Sequence, residues 1–143
     1  MLYFDVGFDP RRPQNLRDNR AYDLLPLPDG DRNLPISTHC TIEKMIIECP
    51  HIGQITVKRS QGVRCIDVFI AIYDAYRQRL GRDEQPHNID RYQRYFEQRC
   101  RDSPGSEAEL RAGMRRVDLL RGKRIFDGLA RSGPDWKLNI DRP

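Results

Sequence analysis

Leu2, Phe4, Val6 and Phe8 alternate with Tyr3, Asp5 and Gly7, a period of two that predicts a half-buried strand at the start of the chain. From residue 9 to 38 that pattern is lost. Pro10, Pro13, Pro26, Pro28 and Pro35 stand among Asp, Asn and Arg, so this stretch reads as a long irregular connection pinned by Leu24, Leu25 and Leu27. Short strands follow at Met45–Cys49, cut off by Pro50, and at Gln54–Arg59, with Ile55 and Val57 inward. After Ser60-Gln61-Gly62 the period changes. Ile66, Phe69, Ile70, Tyr73 and Tyr76 form one helical stripe, with Cys65, Val68, Ile72 and Ala75 beside it. A helix apolar over so much of its circumference belongs at the centre of the fold. Its end is expected in Arg77–Gly81, with cations in the last turn and glycine just beyond.

Asn88 is placed to cap a second helix with Ile89, Tyr92, Phe96 and Cys100 on one face, and Ser103-Pro104-Gly105 breaks it. Ser106 and Glu109 have the spacing of a capping box for a third, short helix that Gly113 stops. Period two then returns. Val117 and Leu119 are expected to face one way and Arg116, Asp118 and Leu120 the other, with Arg121-Gly122-Lys123 turning this strand into a hairpin partner that carries Ile125 and Phe126. Trp136, Leu138 and Ile140 alternate with Lys137, Asn139 and Asp141 in a terminal strand. Strands, then helices, then strands predict an α+β fold. The expectation is a single domain over residues 1–143, with one antiparallel sheet, a central buried helix and one or two further helices on one face.

At 143 residues the chain can bury roughly 70% of the surface its unfolded form exposes, enough for a core even with 32% charged residues. Five Phe, six Tyr and one Trp argue against disorder. No apolar run approaches the roughly 20 residues that cross a membrane, and Asp5, Asp9, Arg11 and Arg12 interrupt any secretory leader. A cytoplasmic protein with no membrane partner is therefore expected. The net charge is only +4, but Lys44, Lys58, Lys123 and Lys137 are the only lysines, so arginine supplies nearly all the cations. Arginine favours carboxylates, phosphates and aromatic faces.

His39-Cys40 and Cys49-Pro50-His51 suggest a zinc quartet. An extended chain at about 3.3 Å per residue would hold the two halves well apart, so no metal ligand is assigned. Cys40, Cys49, Cys65 and Cys100 are expected to be free thiols, as in a reducing compartment. Cys65 opens the central helix, where a thiol pKa can fall, but its apolar neighbours and the lack of a histidine partner argue for a core role. No nucleophile elbow, glycine-rich phosphate loop, zinc-protease motif or dinucleotide fingerprint occurs, so no catalytic residue and no cofactor are assigned. The densest basic run holds Arg111, Arg115, Arg116, Arg121, Lys123 and Arg124. Of these, Arg115, Arg116, Arg121, Lys123 and Arg124 form the candidate surface for an anion or a partner. Glu107, Glu109, Asp118 and Asp127 lie among them and dilute their field, so nucleic acid is not the expected partner.

Four stretches in order carry a resemblance: YFDV at 3–6, IGQITV at 52–57, GVRCIDVFIAIY at 62–73, and RRVDLLRGKRIFDGL at 115–129 with WKLNI at 136–140. Together they resemble a basidiomycete domain family of unknown function. Its members show a Trp-Asp-aliphatic opening, a Gly-Val-Thr-Val-x-Asp-Val-Leu helix start, and an Arg-Val-Asp-x-Leu then Phe-x-Gly-Leu hairpin. Gly53 replaces the family's strand tryptophan, and Arg64 replaces the threonine that would cap the helix, which leaves Asp67 without its capping partner. The resemblance implies a fungal α+β domain and no activity. The expected function is a non-enzymatic module that binds another macromolecule, with a protein as its partner. The alternatives are polyanion binding through the arginines of 111–124, and a small-molecule enzyme with a pocket between residues 9–38 and the sheet.

Overall fold

The apolar alternation at the start places Phe4 and Val6 in the interior, and everything else packs around that beginning. A computed structural model describes residues 2–20 and 23–143, and the side chains of 19–25 lie outside the described residues, those of Leu24 and Leu25 included. Strand β1 (Leu2–Phe4) pairs antiparallel with β2 (Leu16–Arg20), which pairs with β3 (Asp23–Pro26). The 9–38 stretch is therefore not an irregular connection. It supplies two strands of a three-stranded sheet and a one-turn helix α1 (Asp29–Arg32). Sequence reading missed them because the strands are short, charged and nearly free of alternation. Leu16, with no exposed surface, anchors β2, and Pro26 is tolerated because β3 is an edge strand. Leu27 does pack against the core.

A second sheet runs β5-β4-β7-β6, with β4 Lys44–Cys49, β5 Gly53–Lys58, β6 Ile125–Ser132 and β7 Asp135–Asp141. β4 and β7 are parallel, with Ile47 opposite Trp136, so the fold is α+β with one antiparallel and one mixed sheet rather than a single antiparallel one. Period two marks the faces of a strand but says nothing of its neighbour's direction. Leu138 is buried in β7, with Trp136 and Ile140 packed against the core on either side of it. Arg131 of β6 lies 4.7 Å over the Trp136 ring. The sheets meet where Asp5 bridges to Ile125 and the Val6 N–H donates to the Arg124 carbonyl at 2.8 Å.

Helix α2 (Cys65–Tyr76) is the central buried helix, with Val68, Phe69, Ile72 and Tyr76 inside. It stops at Tyr76, before the arginines expected in its last turn, because Arg79 pairs with Arg115 as a β-bridge. Helix α3 (Asp90–Asp102) has Ile89 rather than Asn88 at its N-cap position and no side-chain cap. Helix α4 (Ser106–Ala112) starts at Ser106 with no side-chain cap, since the Glu109 carboxylate is drawn away by arginines. Gly113, at φ 85°, ends it.

The expected 117–126 hairpin is absent. Residues Arg116–Leu120 form a 3-10 turn, which places Val117 and Leu120 on the buried side and leaves Leu119 half-buried. A spacing of three satisfies a 3-10 turn as readily as neighbouring positions satisfy a strand.

The entrance of α2 also differs from expectation. The Arg64 N–H donates to Asp67 Oδ2 at 2.8 Å, and the Arg64 guanidinium grips the same carboxylate through Nε and Nη2 at 3.1 and 2.9 Å. Arginine offers no acceptor, so half of the capping box is lost, but Asp67 does not lack a partner. Burial alone would raise the Asp67 carboxyl, and the hydrogen bonds and charge of Arg64 overcome it and hold the pKa below its usual value. Its contribution is thus present above the ordinary carboxylate pKa and is lost as pH falls through the lowered one. Asp67→Ala should cost about 1 kcal/mol near neutral pH, and the difference from wild type should close in acid. Urea melts at neutral and acidic pH check both.

Candidate functional site

Arg99 occupies the buried side of α3 because residues 92, 96 and 99 fall on one helical face. It is 1% exposed, and a charge there must be fully paired. Nε and Nη2 donate to the two oxygens of Asp118 at 2.8 and 3.0 Å, and Nη1 donates to Glu109 at 3.0 Å. Asp118, itself 1% exposed, also accepts the Arg115 N–H at 2.9 Å and so fixes the start of the 3-10 turn. Arg115 donates to Glu109 Oε2 at 3.0 Å and, through Nη1, to the Arg77 carbonyl at 2.6 Å. Burial alone would raise the Glu109 carboxyl, but Arg115 and then Arg99 outweigh it and keep the group below its usual pKa, hence ionised.

A second cluster joins Arg124 to Asp5 and Asp102 at 3.0 and 2.8 Å. Asp5 is held above the usual carboxylate range by burial, which the charge of Arg124 reduces without overcoming. The two clusters touch at Gly7, whose N–H donates to Asp5 Oδ1 at 2.9 Å; a Cβ there would lie 3.2 Å from that oxygen and 3.5 Å from Arg99 Cδ.

These assignments disperse the five basic residues singled out in the sequence. Arg115 is bound to Glu109, Arg116 to Glu84 at 2.6 Å, and Arg124 is buried. Arg121 and Lys123 are exposed, and Arg121 stacks 5.5 Å over Tyr92. Arg99, Asp5, Asp102 and Glu84 were missed. Arg99 had a signal, a cation on an otherwise apolar stripe, whereas the partners of Asp5 and Glu84 lie too far along the chain for spacing to show them.

Above the first cluster opens a cleft of about 500 Å³, within the range of ligand sites. Its walls are the loop after β1 (Phe8, Asp9, Arg12, Asn15), the end of α2 (Tyr73, Arg77) and the α3–α4 junction with Arg115. It lies against helices, and the sheet does not line it. Asp9 is occupied by Arg11, whose N–H and Nη1 donate to it at 3.0 and 3.2 Å. Glu109 and Arg115 satisfy each other. Arg12 and Arg77 remain: among the described residues neither has a carboxylate partner, and Arg77 lies 5.5 Å over the Tyr73 ring. Burial raises the Tyr73 phenol, so it stays protonated at neutral pH. With Glu109 held ionised and Tyr73 held neutral, the chemistry the cleft offers is recognition of an anion, by two free guanidiniums beside an aromatic ring.

The thiols lie elsewhere. All four cysteines are free. Burial pushes Cys49 up to about 12 and raises Cys65 and Cys100. Cys40 is exposed in a loop, 3.7 Å from Ser37 Oγ. Among the described residues no group of three or more His, Cys, Asp or Glu side chains is arranged to hold a metal ion, and no helix is long and apolar enough to cross a membrane.

The molecule is thus an α+β protein whose polar interior is built from arginine–carboxylate clusters beside an open cleft. Its chain belongs to the family of unknown function DUF6699, whose model matches residues 2–136. No curated protein and no solved structure matches it.

Proposed function

We propose that this protein is a non-enzymatic interaction module and that the cleft takes an acidic segment of a partner protein. The observation that carries this reading is the contrast within the cleft: Asp9, Glu109 and Arg115 are already engaged, while Arg12 and Arg77 are free and reach it from different elements. A guanidinium already stacked on a ring, as Arg77 is on Tyr73, loses less freedom on binding a carboxylate than a free side chain does. The reading also takes residues 1–143 as one domain acting in the cytoplasm of a fungal cell, supported by the motif resemblance and by four free thiols.

The test is calorimetry with a glutamate-rich peptide. A charge-assisted hydrogen bond contributes about 1.5–3 kcal/mol, so Arg12→Gln with Arg77→Gln should weaken binding at least about tenfold. Equal affinity for wild type and double variant would overturn the assignment.

A further inference from the structure

A different face gathers a second group of arginines that have no carboxylate partner among the described residues. On α3, Arg91, Arg94, Tyr95 and Gln98 fall at i, i+3, i+4 and i+7, a single stripe about 10 Å long in which Tyr95 is half-buried and the other three are exposed. The left-handed turn at Arg121 (φ 54°, ψ 43°) sets a further guanidinium beside it, and Arg142 approaches from the chain's end. Among the described residues, Arg91, Arg94, Arg121 and Arg142 have no carboxylate partner, whereas Arg99, Arg115, Arg116 and Arg124 are all paired. Two hollows of about 490 and 310 Å³ flank Tyr95, and Tyr95 and Arg121 line both. The acids there are Asp90 and Asp102, and Asp102 is already bound by Arg124.

Two of the cations lie over tyrosine rings. Arg94 Cζ lies 4.7 Å over the Tyr95 ring, with Nη2 donating to the neighbouring phenol oxygen at 2.7 Å. Arg121 Cζ lies 5.5 Å over Tyr92, with Nη2 donating to its phenol oxygen at 3.3 Å. Arg121 does so from a backbone conformation that glycine, not arginine, adopts without cost. An outlier of that kind is grounds for asking what the side chain does.

We infer that this face binds single-stranded nucleic acid, with unpaired bases stacking on the Arg94 and Arg121 planes and phosphates taking the free N–H groups of Arg91, Arg94, Arg121 and Arg142. Guanidiniums that lie over tyrosine rings and hydrogen-bond to tyrosine phenols suit a ligand that is both flat and anionic. A phosphorylated peptide would use the charge and leave the planes idle. The sequence argued against nucleic acid because acids dilute the 111–124 run. In the structure Glu109, one of those acids, pairs with Arg115, while Arg116 and Arg124 take carboxylates from outside the run. Arg121 joins cations from α3 and the chain's end that have no carboxylate partner among the described residues.

The test is fluorescence anisotropy on the intact chain with a short, labelled single-stranded RNA of mixed sequence. Three or four phosphate contacts, at a slope of about −0.7 each, predict saturable binding that weakens about 20- to 50-fold between 50 and 200 mM salt. Arg91→Gln with Arg94→Gln, on an exposed helix face, should weaken binding about tenfold or more at 50 mM salt without moving the melting temperature. Arg121→Gly provides a second variant: it should also bind more weakly while melting no lower, because glycine relieves the turn. Arg12→Gln with Arg77→Gln should bind RNA as wild type does, which separates this face from the cleft. Three results would each overturn the inference: no saturable binding at 50 mM salt, affinity unchanged in both α3-face variants, or equal binding of duplex RNA or a phosphoserine peptide.

Discussion

Asp118→Ala should destabilise the protein by about 3–5 kcal/mol, a large part of the 5–15 kcal/mol that holds a typical domain together. The cause is less the lost attraction than what stays behind. Arg99, 1% exposed, would keep only Glu109 for its three donating nitrogens, and the Arg115 N–H would lose its acceptor at the start of the 3-10 turn. A buried cation without its bidentate partner cannot be solvated and cannot readily shed its proton. Replacing both partners separates these contributions. Arg99→Met with Asp118→Leu removes the buried charges together and should recover most of the loss, since apolar substitutes for a buried ion pair are often neutral. Recovery should be incomplete, because Glu109 and the Arg115 N–H each still lose a partner. Urea denaturation of the single and double variants measures both quantities. A single-variant cost under about 1 kcal/mol would show that water reaches Arg99.

Phe4→Ala is expected to cost a similar 3–5 kcal/mol, by a different route. Phe4 has no exposed surface, and its ring centroid lies 5.3 Å from that of Phe69 and 6.2 Å from that of Phe126. The three rings come from β1, α2 and β6, so they join the two sheets through the central helix. Deleting the Phe4 ring removes its transfer free energy and leaves a cavity that three separate elements would all have to move to fill. Leu110→Ala is the control: that side chain is 49% exposed, and its loss should stay within about 0.5 kcal/mol. A Phe4→Ala midpoint close to that of Leu110→Ala would show that the cluster does not hold the sheets together.

The comparison of expectation with structure divides along the range of the interactions involved. Local periodicity located β4, β5, α2, α3 and β7, because burying one face of a strand or helix leaves its mark on neighbouring residues. It failed over residues 9–38, where strands of four or five residues pair into a sheet although charged and polar residues interrupt any alternation in the sequence. It failed again at Arg116–Leu120, where one set of apolar residues fits two backbone periods and the demand of Asp118 for partners selects the 3-10 turn.

The arginines show the same division most clearly. By itself the sequence determined that arginine would be the dominant cation, that acids would lie near the 111–124 run, and that no familiar catalytic motif was present. Which arginines are used up and which are free was decided only in three dimensions. Asp5 meets Arg124 across 119 positions and Glu84 meets Arg116 across 32, separations at which chain order carries no information about contact. Once those pairs form, the arginines without a carboxylate partner among the described residues include Arg12 and Arg77 in the cleft and Arg91, Arg94, Arg121 and Arg142 on the α3 face. A charge is available to a partner only if folding has not already neutralised it, and that depends on the whole fold and not on the neighbouring residues.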